Sequence, residues 1–507
     1  MAVSFPVTPE IILGPPGTGK TTTLINIVEE ELARGVAPDR IGYITFTKRG
    51  ATEAQDRTRA KFSLNRADMP WFRTIHSLCV RWMGISTSTI LDGDRLREFA
   101  DVVRERITGR FSASDGSYAG YERGDRMLFM DNLARVRGVS LRSQYDQAHD
   151  DIDWAVVDRF SRTLREFKGA RGLIDYTDML EMFVRSGTGP HLEVLLVDEA
   201  QDLSMIQWQV VAVLSQTVRR LVIAGDDDQG IYRWAGADVD TLVDMEGDAR
   251  VLAQSWRVPV RVQAISEGII RRIRHRRPKT WRAREDDGLV SWAPTIQEAD
   301  FRGDSVLILA RNQYLLEPVM GELRSSGVLF EHHGHPSVRQ VLLDAIVAWE
   351  RLRQGQAIPY EQAQRAYDWM STGVGVRRGF KKLPRHEDER TVTMDMLRAS
   401  HGLMRESVIW HEALDKIPAA ERAYMVRCRR RGERFSIRPR VRVGTIHESK
   451  GGEADRVILM TDMAPRTYAE AQASPDDEAR VWFVGATRAR NELCIVSPRT
   501  SRHFTVG

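Results

Sequence analysis

Residues 10–21 read EIILGPPGTGKT, and their order decides the fold. A short apolar run, Glu10–Leu13, gives way at Gly14 to a turn rich in glycine and proline, and a helical pattern runs from about Thr22 to Arg34. A second apolar run, Ile41–Phe46, follows a short turn, so the opening predicts a strand–helix–strand unit with a right-handed crossover. Gly14-x4-Gly19-Lys20-Thr21 has the spacing of a loop that closes backbone N–H groups around phosphate, and it sits between a strand and a helix, as such a loop must. The glycines permit close approach, and the helix turns its positive end toward the anion. Gly14, Pro15, Pro16, Gly17, Thr18 and Gly19 would line that cradle. Lys20 would reach the β- and γ-phosphates, and the Thr21 hydroxyl would ligate Mg2+.

Outward from this loop, 507 residues are too many for one hydrophobic core and predict about two to four domains. Further buried-strand runs are HLEVLLV (191–197) and RLVIA (220–224), while residues 86–170 are charged and helical in period. A second α/β pattern begins near residue 251, includes a strand at 305–309, and resumes at 442–444, 456–460 and 493–496. The stretch 336–439 is again mostly helical. The expected organisation is a first α/β core (1–85 and 171–250) interrupted by a helical insertion (86–170). A second core (251–335 and 440–507) is interrupted by another (336–439).

Composition narrows the class. The chain is 42% hydrophobic and 28% charged with a net charge of only +4, but basic residues cluster in 271–284 and 427–442. Each run is either a solvated face or a track for phosphates. Cys79, Cys428 and Cys494 are too scattered for a disulfide framework or zinc site, which points to a reducing compartment. His332, His333 and His335 fall in an expected loop without cysteine or acidic partners, so they are not read as metal ligands. No run approaches the roughly 18 apolar residues of a membrane span, and no signal segment is evident; a cytoplasmic protein that does not bind membranes is expected.

Asp198 and Glu199 follow a buried strand, which places two carboxylates at a strand end facing the loop. Asp198 would hold Mg2+ and Glu199 would orient or deprotonate an attacking water. Charge building on a γ-phosphate calls for arginine, and Arg257 in QSWRVP and Arg488 in FVGATRAR are the candidates. The tract GDDDQGIYRWAGA (225–237) sets Gln229, able to sense a phosphate, five residues from Trp234, able to stack on a base.

With these in place the chain resembles a family. GPPGTGKT, ITFTKRGA (44–51), RTIHS (73–77), GLIDYTDML (172–180), DEAQD (198–202), GDDDQGIYRWAGA, QSWRVP (254–259), TIHESKGGE (445–453) and VGATRAR (484–490) run in the order of the superfamily 1A helicase motifs. The chain is similar to the UvrD/Rep/PcrA group. That resemblance implies an α/β fold of two RecA-like parallel-sheet P-loop domains, each interrupted by a mainly helical insertion, the second shortened. It implies ATP and Mg2+ as cofactors and translocation on single-stranded DNA, 3′ to 5′, with unwinding of tailed duplex. It also implies a monomer or weak oligomer working with replication or repair proteins. Lys20, Glu199, Gln229, Arg257 and Arg488 would be catalytic, with Gln229 coupling γ-phosphate to the DNA groove, and Glu453 would contact the nucleotide sugar region. Phe46, Thr47, His76, Tyr232, Trp234, Thr445, His447 and Phe504 would meet the nucleic acid.

The chain also departs from the pattern. The nine residues before Glu10 hold no glutamine to read adenine, and Thr22 stands where relatives often carry a base-stacking arginine. Trp256 would then supply the aromatic face, and adenine selectivity is expected to be loose. Ala235 replaces a common arginine, removing one expected nucleic-acid contact.

Overall fold

The computed structural model describes residues 3–46, 48–109, 122–148, 150–383 and 391–506. The first sheet holds strands β1 (Glu10–Leu13), β2 (Ile41–Thr45), β3 (Phe72–Thr74), β4 (Val194–Asp198), β5 (Arg220–Gly225) and β6 (Asp248–Val251). The apolar runs account for β1, β2, β4 and β5, whereas β3 and β6 are short, carry polar residues and were not expected. The six lie in the order β3-β2-β4-β5-β1-β6 and every pairing is parallel. β1 and β2 are therefore parallel as expected but not neighbours, because β5 and β4, which arrive only after the helical stretch, insert between them. Residues alternate across this sheet: Ile11 and Leu13 join one core with Val197, Ile223 and Trp208. Ile12 joins the other with Leu24, Tyr43 and Leu196.

Helix α1 (Lys20–Ala33) starts two residues earlier than its apolar period suggests, since Gly19, at φ +83°, already caps it. Strand β4 begins at Val194 rather than at residue 191. Helices Gly93–Val103, Arg123–Arg137, Leu141–Ala148 and Trp154–Arg171 fill the first helical stretch and share a core around Phe99, Met127, Phe160 and Phe167.

The chain divides into two compact units, one formed by residues 1–292 with 445–507 and the other by 293–444. The first unit also holds β7 (Gln254–Pro259) paired in parallel with β8 (Arg282–Arg284), and Ala454–Met460 paired in parallel with Ala489–Val496. In the second unit Val306–Ala310 is buried throughout, and Phe330–His332 pairs in parallel with 441–443. The expected loop at 332–336 is instead a tight hairpin, Phe330–His332 against His335–Pro336. Gly334, at φ +77°, lets the chain reverse there. Helices dominate the rest, the longest being Gln340–Arg353 and Ala419–Arg430.

All three cysteines are buried and none is in a disulfide. Burial pushes Cys79 up to about 12 and Cys428 up to about 11. Among the described residues no helix is long and apolar enough to cross a membrane, and no three His, Cys, Asp or Glu side chains converge as a metal cluster.

Candidate functional site

Parallel pairing brings the C-terminal ends of β1, β4 and β5 to one edge, where open α/β sheets hold their ligands. There Gly14 donates its N–H to the Gly225 carbonyl at 2.9 Å. Gly17, at φ +73°, could not carry a side chain: a Cβ would lie 2.3 Å from Arg257 Cβ. Ser255 Oγ donates to the Pro16 carbonyl at 2.7 Å and the Trp256 N–H to the Gly17 carbonyl at 2.9 Å, so β7 borders the loop. Thr18 Oγ1 donates to the Pro15 carbonyl at 2.8 Å, and Lys20 Nζ to the Gly14 carbonyl at 2.9 Å.

Asp198 gathers three donors: Thr21 Oγ1 at 3.3 Å and Tyr43 Oη at 2.8 Å on Oδ2, and the Glu199 N–H at 2.9 Å on Oδ1. Two oxygen donors of the kind Mg2+ prefers, on Thr21 and Asp198, thus adjoin, and the residues fit that ion. Burial, reinforced by Glu199, pushes the Asp198 carboxyl up to about 6. Glu199 is half-buried and desolvated too, but Lys20, Lys450, Gln201 and Arg488 together outweigh that and hold it below the ordinary range. Environment thus separates two adjacent acids, and Glu199 is the one kept ionised. Its backbone sits at φ +53°, a left-handed conformation that strains a non-glycine residue.

Gln229 and the arginines complete this side. Gln229 Nε2 donates to Asp226 Oδ2 at 2.6 Å, and its Oε1 accepts from Arg488 Nη2 at 2.9 Å. Arg488 is buried, and burial followed by the charge of Arg257 pushes its guanidinium down to about 9. Arg257 Nε donates to Glu453 Oε2 at 2.5 Å. The Trp256 indole is 73% exposed beside the loop, and Thr22 Oγ1 accepts from Arg57 at 3.3 Å.

The expected nucleic-acid residues divide. Phe46 and Tyr232 stack with ring centres 5.7 Å apart, Tyr232 adjoins His447 at 6.4 Å, and Trp234 meets His447 edge-on at 6.5 Å. These four make one continuous group of rings. Thr445 is buried and its hydroxyl accepts the Glu448 N–H at 3.3 Å, capping the turn that carries His447. His76 packs edge-on against Tyr176, and burial pushes its imidazole down, toward the neutral form. Phe504 has different neighbours: it stacks on Trp482 at 5.0 Å, with the Arg272 guanidinium 4.9 Å from its ring centre. Thr47 lies outside the described residues.

Four residues at the centre had no role in the reading of the sequence. Lys450 Nζ donates to both Asp202 oxygens at 2.6 Å and to the Gln229 carbonyl at 2.8 Å, and lies 4.9 Å from the Tyr232 ring centre. Burial outweighs that ammonium and pushes Asp202 up to about 6. Gln201 donates to Glu199 Oε2 at 2.5 Å and accepts the Asp226 N–H at 2.9 Å. Tyr43 is the fourth, and its signal was a phenol hydroxyl in the middle of a largely apolar strand. Lys450, Gln201 and Asp202 all lie within the quoted motifs. The basic run 271–284 also resolves at this site. Arg276 and Lys279 pair with Asp228, and Arg277 donates to the carbonyls of Leu242 and Val243, so the middle of that run is an internal seam rather than a phosphate track.

Residues 1–250 match the family described as UvrD/REP helicase N-terminal domain, and residues 428–500 match the UvrD-like helicase C-terminal domain. Among curated relatives, the ATP-dependent DNA helicase PcrA of Bacillus subtilis (strain 168) is 26% identical over 330 residues, 59% of this chain and 41% of the relative. The protein of the same name from Staphylococcus aureus (strain COL) is 25% identical over 321 residues, 58% of this chain and 42% of its own length. That of Leuconostoc citreum is 26% identical over 296 residues, 54% and 38%. The matched region thus spans about two-fifths of these relatives' length.

Proposed function

Because the chain belongs to the UvrD/Rep/PcrA-like superfamily 1 helicases, we propose that it is an ATP-dependent motor that translocates on single-stranded DNA, 3′ to 5′, and unwinds tailed duplex. One connection supports this above all. The Gln229 side chain takes the Arg488 guanidinium, while its backbone carbonyl takes Lys450, whose ammonium lies over Tyr232. A change at the phosphate end of Gln229 is therefore two contacts from a ring able to stack on a base.

The chemistry follows from the residues. The loop and Lys20 bind the phosphates, and Thr21 and Asp198 hold Mg2+, which neutralises phosphate charge when bound. Glu199, kept ionised, orients the attacking water and accepts its proton. Arg257 and Arg488 balance charge on the departing γ-phosphoryl group, with Glu453 aligning Arg257 beside the sugar. Phe46, Tyr232, Trp234 and His447 grip bases by stacking, which tolerates any sequence. His76, Thr445 and Phe504 would add further strand contacts, as would Thr47 by its place in the motif, and Trp256 and Thr22 border the nucleotide base. On this reading segments 86–170 and 336–439 are insertions in two RecA-like cores. The protein works in the cytoplasm as a monomer or weak oligomer beside replication or repair proteins.

Steady-state ATP hydrolysis without nucleic acid, with single-stranded DNA and with single-stranded RNA, at one low salt concentration, tests the proposal. Stimulation by DNA alone is expected. Equal or better stimulation by RNA would favour an RNA-dependent ATPase instead, since stacking by itself is indifferent to the sugar. No stimulation by either would sink the motor reading.

A further inference from the structure

Three consecutive acids, Asp226, Asp227 and Asp228, lie inside the fold at 0%, 0% and 2% exposure. Carboxylates cannot be buried together unless cations accompany them. The central one is Lys279, whose side chain is only 1% exposed. Its ammonium lies 3.1 Å from Asp226 Oδ1 and 3.0 Å from Asp228 Oδ2, and it donates to Asp227 Oδ1. Arg276 grips Asp228 with two bonds of 2.7 and 2.6 Å. Arg480 Nε donates to the Asp227 carbonyl at 2.9 Å, and the Arg277 N–H to Asp227 Oδ2 at 2.9 Å.

This cluster adjoins the hydrolytic residues through Asp226. Asp226 faces Lys279 with Oδ1 and accepts from Gln229 Nε2 with Oδ2, while the opposite end of the same Gln229 amide accepts from Arg488. The amide can satisfy both neighbours only while Asp226 is an acceptor. An Asp226 protonated on Oδ2 would donate there instead, and Gln229 would have to turn its oxygen toward Asp226 and its NH2 toward the Arg488 guanidinium, setting donor against donor.

We propose that Lys279 is a positioning residue for the hydrolytic step: its ammonium keeps Asp226 an acceptor, which fixes the Gln229 amide and, through it, the Arg488 guanidinium. This rests on the proposed assignment of Gln229 and Arg488 to the γ-phosphate. Lys279 itself touches no substrate. Its place in a run of basic residues disguises it as a surface cation, although it is the most deeply buried of them.

The test is a kinetic comparison of the full-length chain with Lys279→Met and with the charge-matched Lys279→Met/Asp227→Asn. In Lys279→Met the DNA-stimulated kcat should fall by about tenfold or more while KM for ATP stays within about twofold, since positioning acts in the transition state rather than in nucleotide binding. The double variant, with one negative charge fewer, should recover most of that kcat. A parallel loss in kcat and ATP affinity, or a double variant that regains its melting temperature without regaining kcat, would reduce Lys279 to a structural ion-pair partner. Should Lys279→Met fail to fold, Lys279→Gln decides: it keeps an N–H donor but removes the charge, so a kcat reduced by about tenfold at constant KM supports the proposal and a full kcat overturns it. Wild-type protein that no nucleic acid stimulates would refute the motor reading instead, and basal kcat would then carry the same comparison.

Discussion

At the scale of single residues, Lys20 and Asp202 carry separable expectations. Lys20 donates to its own loop at Gly14, a partner it can exchange for phosphate oxygens. Lys20→Ala should lower ATP hydrolysis by about a hundredfold or more while strand binding, measured by fluorescence anisotropy, changes little; retained turnover would remove the assigned site. Asp202 gives a pH signature. Its folded-state value of about 6 lies above the ordinary 3.8, because burial outweighs Lys450. The neutral form is therefore favoured in the fold, and this stabilising contribution is complete below about pH 4 and lost as pH rises through about 6. Asp202→Asn cannot ionise and lacks that loss. Urea denaturation should show the variant gaining about 3 kcal/mol on wild type between pH 4 and pH 7, and parallel curves would refute burial as the cause. The same residues show what a sequence reveals. Lys20, Thr21, Asp198 and Glu199 are legible because phosphate chemistry demands fixed spacing along the chain. Lys450 is not, because its partners at 202, 229 and 232 are set by folding, and the motif that contains it does not say what it meets.

At the scale of elements, the phosphate loop is shaped by two glycines that differ in surroundings. Both have positive φ, +73° at Gly17 and +83° at Gly19, but a Cβ on Gly17 would strike Arg257 at 2.3 Å while one on Gly19 comes no nearer than 3.9 Å to Thr22 Cβ. Gly19→Ala should therefore cost about 1–2 kcal/mol of backbone strain alone, and Gly17→Ala more, with β7 displaced. Thermal unfolding of the two variants checks the order, and equal losses would mean that β7 yields freely. Strands β1, β2, β4 and β5 were legible because buried parallel strands are largely apolar, as β4 is up to Val197, while β3 and β6 are short, carry polar residues and gave no such run. Strand neighbours were not: the parallel order places β5 and β4 between β1 and β2, and nothing in residues 10–46 anticipates strands that arrive after residue 190. The run 271–284 shows the same limit, since a cation paired inside the fold and one left in water share a letter code.

At the scale of the whole molecule, a net charge of +4 is too small to hold a polyanion by itself, so placement matters. With much of 271–284 engaged internally, the exposed Arg429, Arg430 and Arg434 are the better cations for phosphates. Replacing all three by Gln should flatten the salt dependence of single-strand binding by roughly two in log–log slope, and an unchanged slope would leave them merely solvated. The buried thiols have a use of another kind. Cys79 and Cys494 sit in one compact unit and Cys428 in the other, all shielded, and burial raises both Cys79 and Cys428 far from the thiolate form. A maleimide added to the folded protein therefore reacts only as fast as each surrounding region opens. Without any engineered label, the chain carries a clock at three addresses, and mass spectrometry of the modified peptides reports which unit loosens first under heat, urea or turnover.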